Sequence, residues 1–320
     1  MKYTYYPGCS LERNARAYHL STMAVAEPLG LEFNEVQDWN CCGATEYIAI
    51  DLVPAYALIT RNLALAAKQS TNGEHLVAPC SACFLNLSKA DKYMGESPNL
   101  SRKVNVALAE AGLNYTAGSV KVDHLLHVVV NDVGFEAIAE KVTRPLYGLR
   151  VAPYYGCLVV RPGFQRKFDD PEYPTSMDQL VRVLGAEVVD FPLKAHCCGG
   201  HMTQISEEVA LELIRRLLQN AADYEADVLV TLCPMCQLNL DAYQEAVNKR
   251  FGTNYQIPIL YFTQLMGLAF GMPEESLGIG LEFIPAGPAL AKISDKPTAR
   301  KARPRAAKGG LPMPALSKEG

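Results

Sequence analysis

Apolar and polar positions change period several times along this chain, and the changes come in the same order twice. Residues 2–6 alternate and are rich in Tyr and Thr, which predicts a strand ending at Pro7-Gly8. Residues 11–28 carry a helical pattern that stops at Pro28-Leu29-Gly30. Residues 31–36 predict a second strand, 52–68 an Ala- and Leu-rich helix, 75–78 a short strand, and 80–90 the opening of a helix. The second half repeats this. Residues 149–153 predict a strand, 176–184 a helix, and 187–191 a strand; 207–224 form a strongly periodic helix with Val209, Leu213, Leu217 and Leu218 on one side; 228–231 are a strand and 233–249 a helix. Residues 91–148 read as a connector with helices at 101–111 and 122–130. Strands alternating with helices predict parallel α/β units. The expected fold is therefore α/β: two duplicated domains with parallel sheets related by pseudo-twofold symmetry. Residues 1–148 would be the first domain with its helical connector, 149–284 the second, and 285–320 a tail.

The cysteines repeat with the pattern. All ten fall into one five-cysteine array written twice: Cys9, Cys41, Cys42, Cys80 and Cys83, then Cys157, Cys197, Cys198, Cys233 and Cys236. Their surroundings match too. Tyr6-Pro7-Gly8-Cys9 corresponds to Tyr154-Tyr155-Gly156-Cys157, Asn40-Cys41-Cys42-Gly43 to His196-Cys197-Cys198-Gly199, and each C-x-x-C is followed by Leu-Asn-Leu, at 85–87 and 238–240. The spacing between copies is 148 residues at the first cysteine, 156 at the pair and 153 at the C-x-x-C. Loops of unequal length between fixed anchors are what a duplicated domain leaves behind.

A chain that commits every thiol to such arrays points to two metal–thiolate centres. Each cysteine group is expected at a strand's carboxyl end or the start of the next helix, where α/β folds place ligands and where amides stabilise thiolates. Five thiolates exceed what a tetrahedral zinc site or an ordinary cubane accepts, which favours a cluster that is not an ordinary cubane, or a cubane with a spare cysteine. Structural zinc is the strongest competitor. Glycines after each pair (Gly43, Gly199, Gly200) are expected to let the backbone approach an inorganic core. His196 and His201 flank the second pair and are candidates for hydrogen bonds to cluster sulfurs or for protons to a product thiolate. Arg161 is a candidate for an anionic substrate group, with a carboxylate partner as the alternative.

Composition narrows the class. A hydrophobic fraction of 49% and a charged fraction of 20% fit a globular protein, and no run of 18 apolar residues predicts a membrane-spanning helix. The first residues lack a signal-peptide core, so the expected location is cytoplasmic, where clustered thiols bind metal more often than they cross-link. A net charge of −4 argues against nucleic acid as a partner. From about residue 285 the sequence is rich in Ala, Pro, Gly, Lys and Arg, with Lys296, Arg300, Lys301, Arg303, Arg305 and Lys308 clustered; it reads as a disordered basic tail, either docked on an acidic partner or simply solvated.

With the two arrays and the stretch His196-Cys197-Cys198-Gly199-Gly200-His201-Met202 in view, the chain resembles the B-type subunit of heterodisulfide reductase over roughly residues 1–272, with two copies of that family's cysteine-rich CCG domain. The resemblance implies a non-cubane 4Fe-4S cluster in each half, held by all five cysteines of its copy, with a small-molecule disulfide or thiol substrate between the clusters. It implies an iron–sulfur oxidoreductase component that reduces or forms a disulfide in one-electron steps. The chain shows no Gly-x-Gly-x-x-Gly and no separate ferredoxin pattern, so electrons would come from partners, an iron–sulfur protein like that enzyme's C-type subunit and a flavin-containing protein like its A-type subunit. The alternative is an electron-transfer or adaptor subunit of a quinone-linked succinate/fumarate reductase-type complex, with zinc in one array, the tail on an acidic subunit or anionic lipid, and an indirect membrane association.

Overall fold

The Tyr-, Val- and Thr-rich runs build two sheets of one design. The structure, a computed structural model, describes residues 1–44, 46–70, 75–164 and 168–297. The first sheet holds β1 (Lys2–Tyr5), β2 (Glu32–Glu35), β3 (His75–Ala78) and β4 (Lys121–His124) in the order β2-β1-β3-β4. The second holds β5 (Arg150–Tyr154), β6 (Glu187–Val188), β7 (Val228–Thr231) and β8 (Ile259–Tyr261) in the order β6-β5-β7-β8. Every pairing is parallel. Replacing each strand of the first sheet by its counterpart four places on gives the second, so the expected duplicated α/β architecture is what forms. Helices cover the faces, so central strands are buried along most of their length: all four residues of β7 are buried, and Val151 of β5 stands opposite Val188 on one side and Val228 on the other.

The departures from the sequence pattern have local causes. Residues 122–130, expected as a helix, begin as edge strand β4; only after His124 does the chain turn helical, through Leu125–His127 and a wider turn over Val128–Val133. Val and His suit a strand as well as a helix, and a four-residue edge strand leaves too short a pattern to separate the two. The helix expected over 11–28 is two helices, Cys9–Glu12 and Arg16–Ala26, and the one expected over 233–249 is Pro234–Ala242 and Gln244–Phe251. In the helix Glu207–Asp223 the buried side is Ala210, Leu211, Ile214, Leu217, Leu218 and Ala221, while Val209 is exposed. Counting only large apolar residues hid the alanines that set this face.

The halves are joined by the helices Arg16–Ala26 and Phe262–Ala269. Tyr18 stacks on Tyr261 with ring centroids 4.2 Å apart and planes 5° from parallel, and the hydroxyls of Ser21 and Thr263 lie 2.6 Å apart. The buried Tyr18 hydroxyl is 3.3 Å from both the Pro79 and the Leu232 carbonyls. These are the residues just before the two C-x-x-C segments, so one phenol marks where the repeats meet.

The chain past the second sheet packs back onto it. Asp241 accepts hydrogen bonds from the amides of Phe283 (2.9 Å) and Ile284 (3.0 Å). A short helix, Gly287–Leu290, then places Ala286, Ala289 and Leu290 in the core. Lys292 pairs with Asp227, and the Ser294 amide donates to the Tyr147 carbonyl at 2.8 Å. Of the basic cluster, Arg300, Lys301, Arg303, Arg305 and Lys308 lie outside the described residues.

Candidate metal–sulfur site

All six cysteine groups follow the carboxyl ends of strands. Cys9 comes after β1, Cys41-Cys42 after β2 and Cys80 after β3; Cys157, Cys197-Cys198 and Cys233 follow β5, β6 and β7. In parallel sheets these ends lie together, so residues far apart in sequence converge there. Cys80 and Cys233 cap the amino ends of the helices Ser81–Glu96 and Pro234–Ala242, placing Cys83 and Cys236 in the first turn.

The sulfurs approach in pairs. Cys9 and Cys41 lie 3.6 Å apart, Cys42 and Cys83 3.4 Å, and Cys198 and Cys236 3.5 Å. Cys157 and Cys197 interact electrostatically, and so do Cys80 and Cys233 across the junction of the halves. The two arrays therefore lie near one another. All ten cysteines are free thiols; six are buried, whereas Cys9 and Cys197 are exposed and Cys41 and Cys157 partly so.

Hydrogen bonding sorts the thiols by charge. The Cys41 thiol is pulled down to about 2 by hydrogen bonds from Cys42 and Cys9, with the Gly43 amide adding to them. Cys197 is pulled down to about 6 by Cys157, with help from the Gly199 amide and the Arg161 charge. Cys9 and Cys157, the donors, are pushed up by those same bonds and by burial. Cys233 is held far below an ordinary thiol by bonds from Cys236 and Cys80 and by the amides of Cys236 and Met235 at the helix start. In each half, then, the first member of the adjacent pair is shifted downward and the cysteine after glycine upward.

The residues around the sulfurs are duplicated as well. The Tyr6 hydroxyl donates to the carbonyl of Asn40 at 2.7 Å, and that of Tyr154 to the carbonyl of His196 at 2.8 Å, fixing the backbone just ahead of each pair. The Asn86 amide donates to the Cys42 carbonyl (3.1 Å), to the Cys42 sulfur (3.9 Å) and to the Ala44 carbonyl. Asn239 does the same for the Cys198 carbonyl (3.2 Å), the Cys198 sulfur (3.6 Å) and the Gly200 carbonyl (2.8 Å). These asparagines are the middle residues of the two Leu-Asn-Leu triplets, a repeat visible in the sequence to which no role attaches until the loop they hold is seen.

The glycines that make room for sulfur are Gly8 and Gly156. Both have φ near +70° (+73° and +69°), and a Cβ there would stand 2.9 Å from the Cys83 sulfur and 3.0 Å from the Cys236 sulfur. Of the glycines after each pair, a Cβ on Gly43 would strike the Tyr47 ring, one on Gly199 would meet Ala210 at 3.5 Å, and one on Gly200 would meet no protein atom within 4 Å. Gly43 and Gly199 also donate their amides to Cys41 and Cys197, at 3.4 and 3.3 Å.

All five cysteines of the second array, Cys157, Cys197, Cys198, Cys233 and Cys236, line one cavity of about 300 Å³, closed by Ala44, Ser81 and Ala82 of the first half and by Tyr155, Leu158, His201, Met202, Ile205 and Met235. His201 thus stands on the cavity wall. His196 is exposed beside Cys197, and Arg161 is paired with Glu172 at 3.0 Å; neither is among the residues lining the cavity. Behind the wall, the Tyr155 hydroxyl bonds Asp178 (2.9 Å), and Asp178 pairs with the buried Lys194 (2.6 Å). The Lys194 carbonyl accepts the amides of Tyr155 and Gly156, tying the loops of Cys157 and Cys197 together. A second opening, beside Cys9 and Cys41, has a volume of about 470 Å³ and is lined by Glu12, Arg13, Glu35, Gln37, Asp38, Trp39 and Asn40.

The donor set fits a sulfur-ligated iron cluster in each half. It is all thiol with no carboxylate, it receives amide hydrogen bonds on its sulfurs, and it is soft in the sense that selects Fe–S, zinc or copper(I) over hard cations. Among the described residues, no three His, Cys, Asp or Glu side chains are gathered as one ion requires; the sulfurs stand in pairs.

Two duplicated sheets with a cysteine array at the carboxyl edge of each define the class, and the chain belongs to the cysteine-rich CCG domain family, which it matches twice, over residues 3–88 and 151–241. It is 30% identical over 295 residues (91% of this chain, 97% of the relative) to the B-type subunit of the ferredoxin/F(420)H(2)-dependent CoB-CoM heterodisulfide reductase of Methanosarcina acetivorans. It is 31% identical over 285 residues (87% and 94%) to a protein of Archaeoglobus profundus described as like the B-type subunit of heterodisulfide reductase. It is also 34% identical over 285 residues (89% and 98%) to the 8-methylmenaquinol:fumarate reductase membrane anchor subunit of Wolinella succinogenes. No helix among the described residues is long and apolar enough to cross a membrane. A crystal structure of a hypothetical protein from Helicobacter pylori shares the fold, with a TM-score of 0.69 at 16% identity over 89% of this chain; the chain spans about half (52%) of that protein.

Proposed function

We propose that this chain is the disulfide-handling subunit of a heterodisulfide reductase-like complex, with one 4Fe-4S cluster, non-cubane in type, on Cys9, Cys41, Cys42, Cys80 and Cys83, and another on Cys157, Cys197, Cys198, Cys233 and Cys236. One observation carries the reading: the C-x-x-C turns of both halves, through Ser81 and Ala82 and through Cys233, Met235 and Cys236, wall one cavity. Such clusters, when bound, supply electrons singly and offer iron to sulfur, so two of them suit a two-electron bond. The balance is RSSR′ plus two electrons and two protons giving RSH and R′SH. His201 is the wall residue assigned to pass protons to the thiolate products, Ala44, Ser81 and Ala82 shield the cavity from the first side, and Arg161, held by Glu172, carries no step. Because the relatives are named as subunits, electrons are assigned to arrive, in the cytoplasm, from an iron–sulfur partner of the C type and a flavin-containing partner of the A type.

Anaerobically purified protein should carry about eight irons and no zinc, and its electron paramagnetic resonance spectrum should change when a disulfide is added. Two ordinary cubane signals that ignore disulfides would sink the reading. The similarity to a fumarate reductase membrane anchor subunit favours a second one, an electron-transfer or adaptor role in a quinone-linked complex. Stoichiometric zinc in one array, or co-purification with a flavoprotein fumarate reductase, would select it.

A further inference from the structure

Among the described residues, the first half contributes a single polar side chain to the cavity over the second array. Ala44, Ser81 and Ala82 line it from that side, and Ser81 is 1% exposed. Ser81 opens the helix Ser81–Glu96 between Cys80 and Cys83, yet the cavity it lines is that of the other half's thiols. Its Oγ is buried and has no hydrogen-bond partner among the described residues, whether oxygen, nitrogen or sulfur. Other buried hydroxyls share that state, among them Thr22, Thr60 and Ser88, but none of them lines this cavity. An orphaned buried hydroxyl costs about 1–3 kcal/mol, and it persists where whatever fills the adjoining space completes the bond. A group seated among five thiols presents anionic sulfur, and a charged acceptor strengthens the bond a hydroxyl makes to it. The matching place in the second C-x-x-C is Pro234, in Cys233-Pro234-Met235-Cys236. Proline has neither a hydroxyl nor an N–H, so the first array receives no such bond from that position.

Resting on the function proposed above, we infer that Ser81 donates a hydrogen bond across the junction of the halves to a sulfur of the cluster held by the second array, and that this bond makes that cluster easier to reduce. An added electron raises the negative charge on a cluster's sulfurs, so a donor there favours the reduced form. The hydroxyl keeps its hydrogen throughout; it tunes the cluster and transfers no proton. Two clusters on closely matched ligand sets are thereby made unequal by one residue of the first half.

The test is a redox titration of the intact, anaerobically iron-loaded chain, followed by electron paramagnetic resonance. Ser81→Ala should keep about eight irons and lower one of the two cluster potentials, making that reduction about tenfold harder, or about 59 mV for one electron, while the other potential stays put. Ser81→Thr, which keeps the hydroxyl, should hold the parent value; a fall equal to that of Ser81→Ala would trace the shift to packing and overturn the assignment. In a Cys236→Ser background, where the second array is emptied, Ser81→Ala should move nothing. In heavy water, pulsed spectra of the full chain should lose one exchangeable deuteron coupling in Ser81→Ala. Two unmoved potentials, an equal fall in both, or a shift that appears only once 1-propanethiol is added would overturn the assignment, the last by making a substrate sulfur the acceptor. Two ordinary cubane signals that ignore disulfides, with the Ser81→Ala shift intact, would end the disulfide reading and keep this hydrogen bond; stoichiometric zinc in the second array would end both.

Discussion

The backbone just before each adjacent cysteine pair does the same job in both halves, yet the side chains there could hardly differ more. In the first half, Asp38 sits at the surface with φ +62° and pairs with Arg61 beside an open, charged mouth. In the second half, the corresponding residue is Lys194, 1% exposed and paired inside the protein with Asp178, behind an apolar cavity. What stays constant is what the sulfurs need: a glycine before the first cysteine, a tyrosine hydroxyl on the carbonyl before the pair, and an asparagine under the loop after it. Duplication preserved the ligand cradle and released the approaches to it, so one scaffold presents two arrays to two different environments.

The sharpest way to break this comparison is to remove one sulfur from each half. Cys83→Ser and Cys236→Ser should each cost only their own array, about four of about eight irons per chain by metal analysis. If either variant loses all its iron, the halves load as one unit and the comparison is of one site, not two. Next in size, Lys194→Met leaves the buried Asp178 without its cation, held only by the Tyr155 hydroxyl, and should destabilise by about 3–5 kcal/mol. Arg61→Met, at the matching place, should cost less than about 1 kcal/mol because that pair is exposed. Denaturant titration reads both, and similar values would mean that the environments differ less than their burial indicates.

Asn86→Ala and Asn239→Ala should cost about 1–3 kcal/mol each, since each leaves buried carbonyls without a donor. Their thermal shifts should agree, because the two cradles are alike. Gly8→Ala and Gly156→Ala should cost about 1–2 kcal/mol for the positive φ alone, with iron lost from the affected half as the methyl displaces a sulfur. The smallest effect is expected from Tyr18→Phe, which keeps the stack on Tyr261 and removes only the hydroxyl shared by Pro79 and Leu232, worth about 0.5–1.5 kcal/mol. A larger loss would show the junction to be less symmetric than its two 3.3 Å contacts imply.

Much of the fold is legible in the sequence because each signal comes twice. The strands before Cys9, Cys80, Cys157 and Cys233 can be read from four or five residues, since the same apolar run precedes the same cysteine in both copies. β4 and β8 carry no cysteine behind them and are too short to show a period, so 121–124 merges into a predicted helix and 259–261 gives no signal. Burial of the helix Glu207–Asp223 is suggested by its large residues, although Ala210 and Ala221, small enough for close approach, define its inner side. At the site, the ten thiols stand out by composition, but the Tyr155–Asp178–Lys194 network cannot, because its members lie in three segments that only the second sheet brings together. Gly8 and Gly156 belong to the visible repeat; that their missing side chains are replaced by the sulfur of the last cysteine is a fact of three dimensions.

The seat of residues 283–297 has an implication of its own. Lys292 grips Asp227 and Ser294 grips Tyr147, both just ahead of strands β7 and β5, while every cysteine lies past the opposite ends of those strands. Residues 283–297 therefore brace the rear of the second sheet, and this segment leaves the front, where the thiols lie, uncovered.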